Sequence, residues 1–125
     1  MGADMHVLIV EDDDEIRRLV SEVLADEGYG VCEASHGQQA MELLESGAAR
    51  PSLILLDMMM PVMDGVEVLL RLAASERFRR IPVVVTTAAP NKAVGCAYAA
   101  IVEKPYEVST LLEVIRRYEG AVAAD

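Results

Sequence analysis

The stretch LILLDMMMPVMDG, at residues 53–65, decides the fold of this chain. Its four leading apolar residues indicate a strand covered on both faces, as in a parallel sheet. The Pro and Gly that follow predict a turn. Asp57 therefore stands at the carboxyl end of a buried strand, with its carboxylate at the sheet edge.

Outward from this stretch, short apolar runs alternate with amphipathic segments along the chain. The pattern predicts strands at residues 5–10, 29–34, 53–56, 82–86 and about 100–103, and helices at 14–27, about 37–45, about 64–74 and 107–118. Such alternation gives an α/β fold, a doubly wound five-stranded parallel sheet with helices on both faces. The first helix has Asp13 or Asp14 as its N-cap and Gly28 as its stop.

The 125 residues fit one domain, spanning residues 1–125 with a core at about 5–119. A formal net charge of −10 excludes nucleic acid and anionic membranes as partners of this domain and favours proteins. Cys32 and Cys96 lack the spacing of a zinc site, which favours reduced thiols. With no signal peptide or long apolar run, we expect a cytoplasmic protein without a membrane span.

Reactive side chains stand at the carboxyl ends of the predicted strands, where a doubly wound sheet binds its ligands. The sequence puts three acids, a hydroxyl and an ammonium group there: Glu11, Asp12, Asp57, Thr87 and Lys104. Each close pair of carboxylates repels by about 4 kcal/mol at an effective dielectric near 20, so a cation is expected between them. Oxygen ligands without His or Cys favour Mg²⁺, with Mn²⁺ as a substitute. Mg²⁺ is commonly completed by a phosphate oxygen, which favours phosphoryl chemistry.

Four segments in this order resemble the receiver domain of two-component response regulators. They are VLIVEDD at 7–13, LILLDMMMPVMDG at 53–65, PVVVTTA at 82–88 and EKP at 103–105. The resemblance covers nearly the whole chain and implies a flavodoxin-like sheet of order 2-1-3-4-5. It also implies a phosphorylation-operated switch that signals through protein contacts.

Carried over by position, the resemblance implies that Asp57 is the phosphoacceptor. Mg²⁺ would be held by Asp12, Asp57 and the backbone carbonyl of Met59, and by Glu11 through water. The donor would be a sensor histidine kinase or phosphotransfer protein, and the downstream target a further protein. Lys104 would balance charge on the phosphoryl oxygens while Thr87 donates its hydroxyl to one of them. The peptide bond from Lys104 to Pro105 would be cis, which helps to aim Lys104.

The chain departs from the family between Thr87 and Lys104, where the segment is shorter and contains Pro90 and Gly95. We therefore expect the fourth helix to be short or irregular. Ile101 occupies a position where the family often has an aromatic residue. These departures make the usual output surface doubtful and leave the phosphorylation chemistry intact.

Three functions stay open from the sequence. The chain is a stand-alone receiver, which assists only its own phosphorylation and dephosphorylation and is otherwise not an enzyme, or a receiver fragment of a longer DNA-binding response regulator or hybrid kinase. The third alternative is an aspartyl-phosphate phosphatase of the haloacid-dehalogenase type. That class needs a second Asp two residues after the nucleophile, where this chain has Met59.

Overall fold

The computed structural model describes residues 5–60, 63–90, 95 and 97–119. These residues form five strands and four helices. The strands are β1 (His6–Val10), β2 (Gly30–Ala34), β3 (Leu53–Asp57), β4 (Val83–Thr87) and β5 (Ala100–Glu103). The helices are α1 (Asp14–Asp26), α2 (Gly37–Ser46), α3 (Gly65–Ala74) and α4 (Val108–Arg116).

All five strands pair in parallel in the order β2-β1-β3-β4-β5. Every residue of β3 and β4 is buried, which explains their nearly unbroken apolar sequences. The predicted doubly wound sheet and its strand order are therefore confirmed. Both Asp57 and Thr87, predicted to follow their strands, are the last residues of β3 and β4.

The sheet has an apolar layer on each face because successive side chains of a strand point to opposite sides. Leu8 and Ile54 belong to the layer covered by α2 and α3. Val7 and Leu53 belong to the layer covered by α1 and α4. Each such side chain, fully buried, contributes about 1.5–3 kcal/mol relative to exposure, so burial fixes both register and face.

Side-chain caps and glycines set the helix ends. Asp13 caps α1 by accepting a hydrogen bond from the Ile16 amide, which selects it over Asp14 as the N-cap. Asp64 caps α3 in the same way. Gly28 follows α1 with a φ of 93°, a backbone conformation that glycine adopts without strain. The predicted stop at Gly28 is therefore confirmed.

The predicted short or irregular fourth helix falls largely on residues 91–94 and 96, which lie outside the described residues. Among the helices that the structure describes, none is long and apolar enough to cross a bilayer.

Candidate functional site

The carboxyl edge of the sheet gathers side chains from four strands. Glu11 directly follows β1, Asp57 and Thr87 end β3 and β4, and Lys104 directly follows β5. Glu11, Asp57 and Thr87 are each at most 5% exposed. Because all strands run parallel, side chains distant in sequence meet at one edge. This edge therefore carries a buried, charged site at the position where the sequence predicted one.

Lys104, which follows the edge strand β5, contacts the acids at the ends of β1 and β3. Its Nζ lies 3.1 Å from Glu11 Oε1 and 3.4 Å from Asp57 Oδ1. The peptide bond from Lys104 to Pro105 is cis. One ammonium thus faces two buried carboxylates, and the local charge of this trio is negative when all three are ionised.

The acids form a cluster suited to a hard cation. Glu11, Asp12 and Asp57 each offer a carboxylate oxygen, and these oxygens lie within 4.8 Å of one another. Asp12 is exposed whereas the other two are buried, so the cluster opens to solvent on one side. An all-oxygen donor set with an open side fits Mg²⁺, which keeps several waters and takes few protein ligands.

Burial raises the pKa of the two buried carboxyl groups, those of Glu11 and Asp57. Burial, and then the charge of Asp57, raise the pKa of Glu11 to about 7. Burial likewise raises the pKa of Asp57, against the lowering effect of the Met59 amide and Lys104. For Lys104, burial lowers the pKa, but the two carboxylates outweigh it and the net direction is upward. The site therefore holds a proton in competition with a metal near neutral pH.

The turn after Asp57 is closed by backbone hydrogen bonds. The Met59 amide donates to Asp57 Oδ1 at 3.1 Å, and the Gly65 amide donates to the Met58 carbonyl at 3.1 Å. A Cβ on Gly65 would lie 2.6 Å from the Met58 Cα, so glycine is required there for the start of α3 to approach the turn. Met58 is buried in the core, and Met59 is 47% exposed. The metal-binding role of the Met59 carbonyl stays a prediction.

Thr87 presents its hydroxyl at the same edge. Its Oγ1 accepts a hydrogen bond from the Ala89 amide at 2.9 Å. A hydroxyl that accepts one bond keeps its hydrogen to donate elsewhere. Thr87 is thus able to act as a donor to an oxygen that arrives at this edge.

Two residues next to the acid cluster were not predicted from the sequence. The guanidinium of Arg17 donates to the Glu11 carbonyl at 2.9 Å. Tyr106 lines a small cavity with Glu11 and Arg17, and burial raises the pKa of its phenol. One contact of Arg17 was predictable from the sequence. Arg17 lies three residues after Asp14, and residues three apart on a helix are neighbours.

In doubly wound parallel sheets, ligands bind at the carboxyl edge of the strands, and in this chain that edge holds a buried acid cluster and a lysine. Residues 7–116 match the family model described as the response regulator receiver domain. The chain belongs to this family and is a receiver domain of a two-component system.

Curated relatives include a protein that this chain covers almost completely and longer proteins that it covers only in part. Sporulation initiation phosphotransferase F of Bacillus subtilis is 33% identical over 119 residues, which cover 90% of this chain and 91% of that protein. The uncharacterized transcriptional regulatory protein YkoG of the same organism is 38% identical over 116 residues, covering 89% of this chain and 49% of that protein. Regulatory protein AtoC of Escherichia coli is 31% identical, and 26% of its length is covered. The chain thus spans about half or less of these two longer regulators.

Solved structures give the same fold. The signal receiver domain of a histidine kinase from Syntrophus aciditrophicus has a TM-score of 0.86 and 27% identity, with 94% of this chain and 92% of that chain covered. The receiver domain of sensor histidine kinase PA1611 from Pseudomonas aeruginosa has a TM-score of 0.82 and 26% identity, covering 93% and 98%. That structure is described as having a magnesium ion coordinated in the active site cleft.

Proposed function

We propose that Asp57 is the phosphoacceptor of this receiver domain and that its phosphorylation requires Mg²⁺. One observation carries the proposal: the buried Asp57 carboxylate belongs to an acid cluster that fits a cation, and it lies 3.4 Å from the ammonium of Lys104. A buried carboxylate needs such compensation to be ionised and nucleophilic. Glu11 has the same neighbours, and the resemblance to the receiver family selects Asp57 between the two.

The proposed metal ligands are Asp12, Asp57 and the carbonyl of Met59, with Glu11 acting through water. Bound Mg²⁺ would neutralise the carboxylates and the incoming phosphoryl oxygens. Mn²⁺ has similar ligand preferences and is expected to substitute. The spacing of the three carboxylate oxygens supports this assignment because they are close enough to share one ion.

The proposed reaction is an in-line phosphoryl transfer. A carboxylate oxygen of Asp57 attacks phosphorus, an O–P bond forms, and the N–P bond to the donor histidine breaks with the electron pair returning to the imidazole. The protein contributes position and charge because the transition state is loose. Lys104 balances negative charge on the transferred oxygens, and Thr87 donates its hydroxyl to one of them after transfer.

An apolar groove beside Lys104 is the proposed docking surface for the donor protein. The groove is lined by side chains of α1, of the residue after β4, of the segment after β5 and of the first residue of α4: Ile16, Leu19, Val20, Ala88, Pro105, Tyr106 and Val108. Leu19 is 51% exposed. Lys104 also lines this groove, so a protein bound there would hold its phosphohistidine next to the site. We assign the groove to a sensor histidine kinase or phosphotransfer protein.

Two settings for the domain follow from the relatives. Near-complete coverage of sporulation initiation phosphotransferase F favours a stand-alone receiver that passes its state to another protein. Partial coverage of YkoG and AtoC favours a receiver within a longer regulator. In both, the domain promotes only its own phosphorylation and dephosphorylation. Membership of the receiver family displaces the haloacid-dehalogenase alternative.

Acetyl phosphate tests the phosphoacceptor directly. With Mg²⁺, intact-protein mass spectrometry is expected to detect one added phosphoryl group on the wild type and none on Asp57→Asn. Asp26→Asn is the matched control because Asp26 is exposed at the far end of α1, and it should label like the wild type. A phosphoryl group retained by Asp57→Asn would contradict the assignment.

A further inference from the structure

We infer that Arg17 is a positioning residue that holds the loop carrying Glu11 and Asp12 in its metal-binding shape. This role rests on the proposed function, since it matters only if that loop binds Mg²⁺. Each of the three guanidinium nitrogens of Arg17 donates a hydrogen bond to a different residue.

Arg17 ties the loop to two other elements. Nη1 donates to the Glu11 carbonyl at 2.9 Å, Nη2 to Asp14 Oδ1 at 2.6 Å, and Nε to Glu33 Oε1 at 3.1 Å. The Arg17 side chain is 12% exposed. One rigid, planar group therefore joins the end of β1, the first turn of α1 and strand β2.

The remaining bonds of the loop leave Asp12 little freedom. The Glu11 amide donates to the Ala34 carbonyl at 3.1 Å, and Glu11 Oε2 accepts from the Asp13 amide at 3.2 Å. Asp13 itself caps α1. Asp12 lies between these two residues, so its backbone is held on both sides. Among the residues that the structure describes, Arg17 is the one that donates to the Glu11 carbonyl.

Replacing Arg17 by a neutral residue has two opposite effects on Mg²⁺ affinity, one through the lost charge and one through the lost hydrogen bonds. Loss of a positive charge near an acid cluster strengthens the attraction for Mg²⁺. Loss of the clamp loosens the loop and weakens Mg²⁺ binding, as happens when groups that orient metal ligands are removed. Asp14 and Glu33 already partner the guanidinium, which reduces its net field at the site. We therefore expect the loss of position to dominate.

The experiment is calorimetric titration of Mg²⁺ into the metal-free full chain. Arg17→Met keeps the aliphatic part of the side chain, and we expect its Kd for Mg²⁺ to rise about tenfold, the lower end of the range for residues that orient ligands. Arg17→Lys keeps the charge with a single nitrogen, so weakened binding there would exclude a purely electrostatic role. Arg18→Met is the matched control because Arg18 is exposed on the same helix and has no side-chain partner in the described residues; it should bind like the wild type or slightly tighter.

A second measurement separates positioning from general stability. At saturating Mg²⁺, the rate of labelling of Arg17→Met by acetyl phosphate should return to the wild-type value because Asp57 and Lys104 are not bonded to Arg17. A Kd of Arg17→Met within twofold of that of Arg18→Met, or below it, would overturn the inference.

If Arg17→Met does not fold, Glu33→Ala replaces it, with Glu15→Ala as the control for the lost negative charge. Equal Mg²⁺ affinity in those two variants would likewise overturn it.

The outcomes distinguish the two proposals. Absence of Mg²⁺ uptake by the wild type would refute the proposed function, and the role of Arg17 with it. Uptake by the wild type with no difference between the Arg17 and Arg18 variants would refute the role of Arg17 alone.

Discussion

At the scale of single residues, the site depends on charged groups that would be unfavourable apart. Glu11 and Asp57 are nearly fully buried, and Lys104 contacts both of them. Burial alone would neutralise the carboxylates, and the ammonium opposes that effect. The metal-free state is therefore balanced between protonation and ionisation, and a cation shifts it toward ionisation.

Stability of the metal-free protein should fall as pH rises from about 4.5 to 7. The pKa of Glu11 is about 7 in the folded protein against 4.5 for its ordinary value, so the folded state keeps a proton that the unfolded chain releases. The stabilising effect is complete below pH 4.5 and is lost as pH rises through the folded-state pKa. Above that pKa, the titration of Glu11 no longer changes the stability. The size of the effect is on the order of 3 kcal/mol. The raised pKa of Asp57 acts in the same direction.

Urea unfolding at pH 5 and pH 7.5 in EDTA checks this expectation. Glu11→Gln cannot titrate, so its free energy of unfolding should decrease less between the two pH values than that of the wild type. Glu67→Gln, at an exposed ion pair on α3, is the control and should follow the wild type. A Glu11→Gln protein with the wild-type pH dependence would refute the assignment of the titration to Glu11.

The sequence was sufficient to predict which side chains meet at the sheet edge, because the carboxyl ends of parallel strands lie along the same edge. It was not sufficient for Arg17 or Tyr106. Their partners come from other elements: Arg17 contacts Glu33 of β2, which is 16 residues away. Contacts of this kind depend on the relative placement of elements, and a spacing rule within one helix does not contain that information.

At the scale of elements, α1 serves both the core and the groove beside Lys104. Val20 and Leu24 are buried against the sheet, whereas Leu19 is 51% exposed on the groove side. An exposed leucine next to the site is a natural anchor for a partner, since a few apolar residues carry most of the affinity of an interface.

Leu19→Glu should slow phosphoryl transfer from a phosphohistidine-bearing protein about tenfold, which corresponds to a loss of about 1.4 kcal/mol in binding. Labelling by acetyl phosphate should be unchanged because this small donor needs no docking surface. Leu70→Glu is the matched control: Leu70 is 58% exposed on α3, outside the groove, and the charge change is identical. Equal slowing by both variants would indicate a general charge effect and contradict the assigned surface.

The elements themselves were predicted closely, with differences of one or two residues at their ends. Helix α2 ends at Ser46 rather than near 45, and α4 is Val108–Arg116 rather than 107–118. Terminal turns are decided by local hydrogen bonds, such as the cap that Asp13 provides to α1, and several nearby residues compete for these roles. Apolar periodicity identifies the body of an element but does not select among such caps.

At the scale of the whole molecule, a ligand held by distant segments stabilises the complete fold. Mg²⁺ at a hundredfold excess over its Kd should add about 2.7 kcal/mol to the free energy of unfolding. For a chain of this size that corresponds to a Tm increase of about 10 °C. Thermal denaturation in EDTA and in Mg²⁺ measures this shift.

Asp12→Asn should remove most of this increase, and it should raise the Tm in EDTA because it removes repulsion among the carboxylates. Asp26→Asn, remote from the site, should retain the wild-type shift. A full Mg²⁺-dependent increase in Asp12→Asn would argue that the ion binds elsewhere on this acidic chain.

Glu11 and Lys104 are separated by 93 positions, and their contact requires β5 to be paired at the edge of the sheet. A chain still being synthesised therefore lacks this contact until residue 104 has left the ribosome and the fifth strand has joined. Until then, the acids of this sheet edge are without the ammonium that balances their charge in the folded domain.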